Sequence, residues 1–413
     1  MYASAALGTG RRHGLRADGS TCFRSERRAG SCFGAGSGSG LGAVPAGPSC
    51  RGAGVGGEPF VTQLRRPTDG CGAPQASRTV AALGFPLWKR RFVRRCLAGR
   101  TLRFIEPGDA LPADGTLLLW GMAPVPAGLG PGVAVLRMED GFLRSVGLGA
   151  ELTRPLSWVI DRSGIYYDAT RPSDLETLLA TAEFPPALLA RAVALRQRVV
   201  QARITKYNVG ARHWVRPDGA RRVVLVPGQV ESDASLAFGA PGIRSNLALL
   251  RAARAAEPDA WLVYKPHPDV AARLRRSGDG EAQAAAWCDE VVVDVDMAAL
   301  LDAVDAVHVL TSLAGFEALL RGKAVTCHGQ PFYAGWGLTA DTVPHPRRTR
   351  RLRLDELVAA ALILYPTYIG DRGPIEPEAA LDELQAWKAR RGGATRWWSG
   401  VYRFFLRRFI GVR

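Results

Sequence analysis

The sequence contains no run of about 18 apolar residues, the length a helix needs to cross a bilayer, so no membrane-spanning helix is expected from it. Arg11, Arg12 and Arg16 are followed by no apolar core, so no secretory signal is expected either. The seven cysteines, at 22, 32, 50, 71, 96, 288 and 327, form no CxxC pair and are odd in number. This argues against a disulfide framework or a zinc site and makes reduced thiols in a cytoplasmic setting the expectation. No phosphate-binding Gly-rich loop, strand-following GxGxxG, HExxH or GxSxG string stands where its chemistry would need it. The only DxD-like triplet of the second half, Asp294-Val295-Asp296, reads as the cap of the next helix. No metal and no cofactor are therefore expected. Acidic residues are missing from the last stretch, Trp387 to Arg413, which carries eight Lys and Arg.

What is present is enough to build cores. The 413 residues exceed one ordinary domain, and 47% are hydrophobic. The net charge of +16 is uneven. Residues 1–78 hold ten Arg against four acids in a Gly, Ala and Ser background that cannot bury enough apolar surface to order itself. They read as disordered or as a start codon placed too far upstream. Such charge asymmetry points to an anionic partner. With the basic segments at the ends and no recognised binding motif, nucleic acid is not the partner expected.

From Thr79 onward, short apolar runs alternate with helical patterns. Strands are expected at 117–120, 133–136, 223–226, 261–264, 291–293, 306–310 and 324–326, and helices at 174–180, 188–204, 246–256 and 313–321. This alternation predicts an α/β fold with parallel sheets of the Rossmann type. The polar stretch 213–221, with Pro217 and Gly219, reads as a linker between two such halves facing across a cleft, where strand C-terminal ends bind ligands.

Four strings follow strand-like runs. Glu139-Asp140-Gly141, with Arg144 after it, offers paired acids for general acid or base work; the same string also fits a plain turn. Gln229, Glu231 and Asp233 follow the first strand of the second half and would face the cleft, or Asp233 would merely cap a helix. Lys265-Pro266-His267-Pro268 fixes one histidine rigidly between prolines, so that a cation there can meet a phosphate; a lone histidine is more often structural. Thr311-Ser312 opens a helix, whose free N–H groups suit a phosphate or need only an ordinary cap.

Longer strings carry a resemblance. EDGFLRSVGLGA (139–150), GIYYDATRPSDLE (164–176), PGQVESDAS (227–235), YKPHPDV (264–270) and HGQPFYAGWGLT (328–339) resemble the capsule β-Kdo transferase family of the KpsC/KpsS type, over 79–369. The resemblance spans one transferase module, where KpsC-type chains usually carry two. It implies a metal-independent, retaining GT-B glycosyltransferase that takes Kdo, an acidic sugar, from CMP-Kdo. Residues 79–215 would form an N-terminal Rossmann-like acceptor-side domain, and 216–375 a C-terminal CMP-sugar-binding domain. The acceptor would be a (lyso)phosphatidylglycerol-type lipid or a Kdo-primed glycan in capsule biosynthesis and export. Retention by double displacement needs a nucleophilic carboxylate and an acid/base. Asp140, beside Glu139, is assigned to acid/base work, and Asp233 or Glu231 to the nucleophile. His267, with Pro268, and Thr311/Ser312 would meet the donor phosphate. Arg144 and Lys265 would meet the sugar carboxylate, Gln229 would orient the site, and Gly335 and Trp336 would lie near the donor, unless Trp336 simply packs between domains.

The alternatives within this reading are a CMP-sialic-acid-type or other nonulosonate transferase, and a non-catalytic capsule-assembly protein docking to export machinery. Residues 376–413 are expected to form a basic amphipathic tail. Its end, RWWSGVYRFFLRRFIGVR (396–413), suits an anionic bilayer, which would place the protein peripherally on the inner face of the inner membrane, near a lipid-linked acceptor. A C-terminal helix packed on the first domain is the other reading of the tail.

Overall fold

The alternating pattern builds two hydrogen-bonded sheets. In a computed structural model of the protein, residues 79–147, 153–210, 213–272, 275–276, 278 and 280–391 are described. The expectations for 1–78 and for 396–413 lie outside them.

The described residues start with β1 (Thr79–Leu83), α1 (Leu87–Cys96), β2 (Thr101–Ile105), β3 (Gly115–Trp120), β4 (Val133–Asp140) and β5 (Ser157–Asp161). β2, β1, β3 and β4 run parallel, and β5 turns antiparallel to β4. Leu117, Leu118 and Leu119 on β3 are all buried, as expected of a parallel strand covered on both faces. Two helices follow. α2 (Asp174–Thr181) begins where Ser173 accepts the Glu176 N–H, and α3 (Pro186–Gln201) begins on a proline that has no N–H to leave unsatisfied.

The second sheet is wholly parallel. Its elements are β6 (Val223–Pro227), α4 (Ala234–Gly239), α5 (Asn246–Ala256), β7 (Trp261–Lys265), α6 (Pro268–Ala271), β8 (Glu290–Val291), α7 (Met297–Ala303), β9 (Ala306–Val309), α8 (Leu313–Leu320), β10 (Ala324–Cys327) and β11 (Ala340–Asp341). The strand order is β11-β10-β9-β6-β7-β8. All five residues of β6 are buried at the centre. The expected linker 213–221 is irregular and tied down: Arg216 grips Asp305, and the Trp214 indole donates to Glu290 at 2.8 Å. Asp296 of the DxD-like triplet caps α7 by accepting the Ala299 N–H at 2.8 Å, as expected.

The chain then returns to the first sheet. After α9 (Leu354–Val358), which continues as a wider turn through Leu364, β12 (Thr367–Ile369) pairs antiparallel with β5, and β13 (Pro374–Ile375) with β12. A sequence boundary at 375 counts these strands with the second half, whereas their hydrogen bonds put them in the first sheet. α10 (Pro377–Arg391) likewise differs from the first part of a basic tail: Ala380, Leu381 and Leu384 are buried, and Glu378 and Asp382 pair with Arg191 and Arg198 of α3. Three- and two-residue strands carry too little periodicity to be assigned from sequence.

Candidate active site

A cavity of about 490 Å³ is lined by residues that end or follow β4, β6, β7 and β9, so both sheets contribute their strand C-terminal ends. Beneath it, Phe142 after β4 stacks on Phe332 after β10 (ring centroids 4.5 Å apart) and lies 6.1 Å from Phe316 of α8. These rings bind the loops of one sheet to the elements of the other. Of the residues expected in the site, Glu139, Asp140, Arg144, Gln229, Asp233, Lys265, His267, Pro268, Thr311 and Ser312 all line this cavity. Glu231, Gly335 and Trp336 are not in its lining. Glu231 accepts the Asn246 N–H at 2.7 Å at the start of α5. Trp336 is fully buried and donates to the Phe332 carbonyl at 2.9 Å, so it packs, and Phe332 of the same string is the one that reaches the cavity.

Asp140 sits between two buried cations. Its Oδ1 is 2.8 Å from the Lys89 Nζ and its Oδ2 is 2.6 Å from the Arg144 Nε. Burial pushes this carboxyl up, but Arg144 and Lys89 outweigh burial and hold it well below the usual carboxylate range. Glu139, one residue earlier, goes the other way. Burial first, and the adjacent Asp140 charge as well, push it up to about 7 against the pull of Lys89. Its Oε1 accepts the Asp140 N–H at 3.0 Å, and the Tyr167 hydroxyl approaches Oε2 at 3.4 Å. Asp140, expected to do acid/base work, is held ionised by two cations, whereas the raised pKa of its neighbour Glu139 suits proton exchange better. Gly141 is no turn residue. Its N–H donates to the Ser157 carbonyl at 2.8 Å, and a Cβ there would lie 2.0 Å from the Ser157 Oγ, so the close approach of β4 and β5 requires glycine.

Lys89 was hidden from sequence reading, although a signal existed. It lies on the buried stripe of α1 with Phe92, Val93 and Cys96, where a lysine needs a partner. Its ammonium lies 3.6 Å from the centroid of the Trp120 ring. Tyr166, Tyr167, Lys206, Tyr207 and Glu317 also line the cavity without having been singled out for the site. Asn208 adopts φ +52 and bridges the Thr205 N–H and the Ser145 carbonyl, which turns Lys206 and Tyr207 into the cavity. Burial lowers the Lys206 ammonium, but Tyr207 and Asp233 outweigh it and raise it. Burial pushes Glu317 up to about 7 despite Arg321, and its carboxylate accepts the Lys206 N–H at 2.7 Å.

On the second-sheet side, Asp233 is exposed to the cavity and caps α4 through the Ser235 N–H at 2.9 Å. The Gln229 side chain clasps Thr311 twice, accepting its N–H at 2.9 Å and donating to its Oγ1 at 3.0 Å. Ser312 caps α8. The His267 Nδ1 accepts the Asp269 N–H at 3.1 Å, which puts the ring proton on Nε2. Burial, with Lys206 second, drops its pKa to about 4. His267 is thus a neutral hydrogen-bond donor rather than the cation expected. Burial also lowers Lys265, against Asp294 and Asp296. Among the described residues, no three His, Cys, Asp or Glu side chains are grouped to hold a metal, and no helix is long and apolar enough to cross a membrane.

The family model for capsule polysaccharide biosynthesis proteins matches residues 130–208 and 185–369. The capsule polysaccharide modification protein LipA of Neisseria meningitidis is 44% identical over 297 residues, 70% of this chain; the chain spans only 42% of LipA's length. The lipopolysaccharide-processing protein LpsZ of Rhizobium meliloti is 44% identical over 312 residues, 71% of each protein. Two structures of Thermosulfurimonas dismutans KpsC are similar, each over 75% of this chain and 99% of theirs. The β-Kdo 2,7 transferase is 40% identical with a TM-score of 0.61, and the β-Kdo 2,4 transferase 31% identical with a TM-score of 0.64. A family model covering the β4–β12 region, including most of the cavity wall, and relatives matched over most of the described residues agree: the chain belongs to the family of capsule polysaccharide biosynthesis proteins.

Proposed function

We propose that the protein is a retaining GT-B glycosyltransferase that moves β-Kdo from CMP-Kdo to a lipid-linked or Kdo-primed acceptor in capsule biosynthesis. The observation that carries this reading is the geometry at the end of β4, where Asp140 is clamped between Lys89 and Arg144 in the wall of the cavity and Glu139 lies beside it under the Tyr167 hydroxyl. The likeness to two β-Kdo transferase structures supports the transferred sugar.

In this reading the second sheet holds the CMP portion. The Ser312 end of α8, Thr311 held by Gln229, and the His267 Nε2–H supply neutral donors to the phosphate. Lys206, Lys265 and Arg144 give an anionic sugar its counter-charge. Asp233, on the second-sheet side, attacks the anomeric carbon, and the bond to the CMP phosphate breaks with its electron pair leaving on CMP. An acceptor hydroxyl then attacks the same carbon, releases Asp233 and passes its proton to Glu139. Two inversions give retention. Asp233 and Glu139 line the same cavity as Tyr166 and Tyr167, which supports a shared role for the two carboxylates. Asp140 holds Lys89 and Arg144 in place.

The test is incubation of the purified chain with CMP-Kdo and a phosphatidylglycerol-type glycolipid without added metal, followed by mass and linkage determination. One added β-linked Kdo is expected. Transfer from CMP-sialic acid in preference to CMP-Kdo, or no transfer at all, would count against it.

A further inference from the structure

The solvent face of α1 is one-sided in charge and adjoins the cavity mouth. Lys89, Phe92, Val93 and Cys96 face inward. The opposite arc carries Leu87, Arg91, Arg94 and Arg95, all exposed, with Arg90 at its edge. Leu87 is 77% exposed, an unusual position for leucine on a helix that has apolar positions available inside. No acid lies in the helix. Glu106, from the loop after β2, pairs with Arg90, while Arg90 and Arg94 both lie over the Phe104 ring, each 5.0 Å from its centroid. Trp88, next to Leu87, and Lys89 both line the cavity.

We propose that this face of α1 is a membrane-docking surface for an anionic bilayer, with Arg91, Arg94 and Arg95 against phosphate headgroups and Leu87 entering the interface. Charge complementarity selects the partner. Several arginines without an acid on the arc, beside an exposed aliphatic side chain, match a surface that is negative outside and apolar beneath. A folded protein partner would answer these arginines with discrete carboxylates and would leave Leu87 no apolar layer to enter. The position of Trp88 gives docking a consequence: the cavity mouth is held at the lipid surface, where a headgroup-linked sugar can enter without its chain leaving the bilayer. The acceptor side of this consequence rests on the transferase reading; the docking itself does not.

The experiment uses the full chain, so that every other basic segment stays in place. Partition onto vesicles of phosphatidylglycerol mixed with phosphatidylcholine is compared with partition onto phosphatidylcholine alone. The double substitution Arg91→Glu with Arg95→Glu is expected to lower partition onto the anionic vesicles at least tenfold, and Arg91→Lys with Arg95→Lys to restore most of it. Leu87→Asp, independent of the arginines, is expected to weaken the same binding severalfold. Melting temperature and transfer to a water-soluble Kdo acceptor should stay near native in all of them. Undiminished binding by the Glu pair overturns the proposal, as does an equal loss on phosphatidylcholine. Competition away from vesicles by a soluble acidic oligosaccharide at matched ionic strength would identify a glycan surface instead and equally overturn it. If transfer fails with every acceptor while vesicle binding behaves as stated, the transferase reading fails and the docking surface stands.

Discussion

Glu139 accepts the backbone N–H of Asp140 at 3.0 Å, yet the two side chains live in opposite electrostatic surroundings. Lys89 and Arg144 pair directly with Asp140, while at Glu139 burial and the neighbouring negative charge outweigh the pull of Lys89. One strand end thereby supplies a fixed charge and a titrating group from consecutive residues. Their side chains, on opposite faces of β4 by strand alternation, are pulled apart by α1 on one side and Tyr167 on the other.

The first prediction concerns pH. If Glu139 takes the acceptor proton, activity requires its ionised form, so kcat/KM should rise with pH through about 7. Glu139→Gln should lower kcat about 100-fold or more and remove that limb from the profile. An unchanged limb in the Gln variant would assign it to another group.

The second concerns the cation clamp. Lys89→Met removes one of two partners from a buried carboxylate, which costs about 3 kcal/mol or more in a chemical melt. Asp140's folded pKa is depressed, so its contribution to stability is present above the unfolded value and is lost as pH falls toward the folded one. In Lys89→Met the depression is smaller, so the stability lost on acidification should be smaller and should level off at higher pH than in the native protein.

The third concerns His267. Its folded pKa of about 4 lies below the free value near 6.5, so between these limits the unfolded chain binds the extra proton and stability rises with pH. Urea melts at pH 5 and pH 7 should show this slope reduced in His267→Gln. Donor affinity, met by a neutral ring, should carry no His267 titration between pH 6 and 8.

The fourth concerns the clasp on Thr311. Gln229→Ala leaves the Thr311 N–H and Oγ1 without their partner and loosens the start of α8. The KM for the donor should rise about tenfold, while the acceptor KM stays close to native. Equal rises in both would make Gln229 a general structural residue rather than one serving the donor side.

Much of this was legible in the chain. Val223–Val226 and Trp261–Tyr264 read as buried parallel strands because both faces are covered, and the strings after them end up in the cavity wall. Thr367–Ile369 did not read as part of the first sheet: three residues carry no period, and their pairing with Ser157 and Trp158 is a contact about 200 residues distant. Charge state was hidden for the same reason. That Asp140 rather than Glu139 is clamped depends on Lys89, 51 residues earlier, arriving from the buried stripe of α1. Pattern could bring His267 to the cavity; only its hydrogen bond from Asp269 shows that the ring is neutral.

The most direct measurement is the intact mass of the Glu139→Gln variant after incubation with CMP-Kdo and no acceptor, followed by peptide mapping. With the second step disabled, one Kdo residue should be covalently attached on the peptide that contains Asp233, and none in an Asp233→Asn, Glu139→Gln double variant. A protein that consumes CMP-Kdo yet carries no adduct, or carries it on a peptide lacking Asp233, would contradict it.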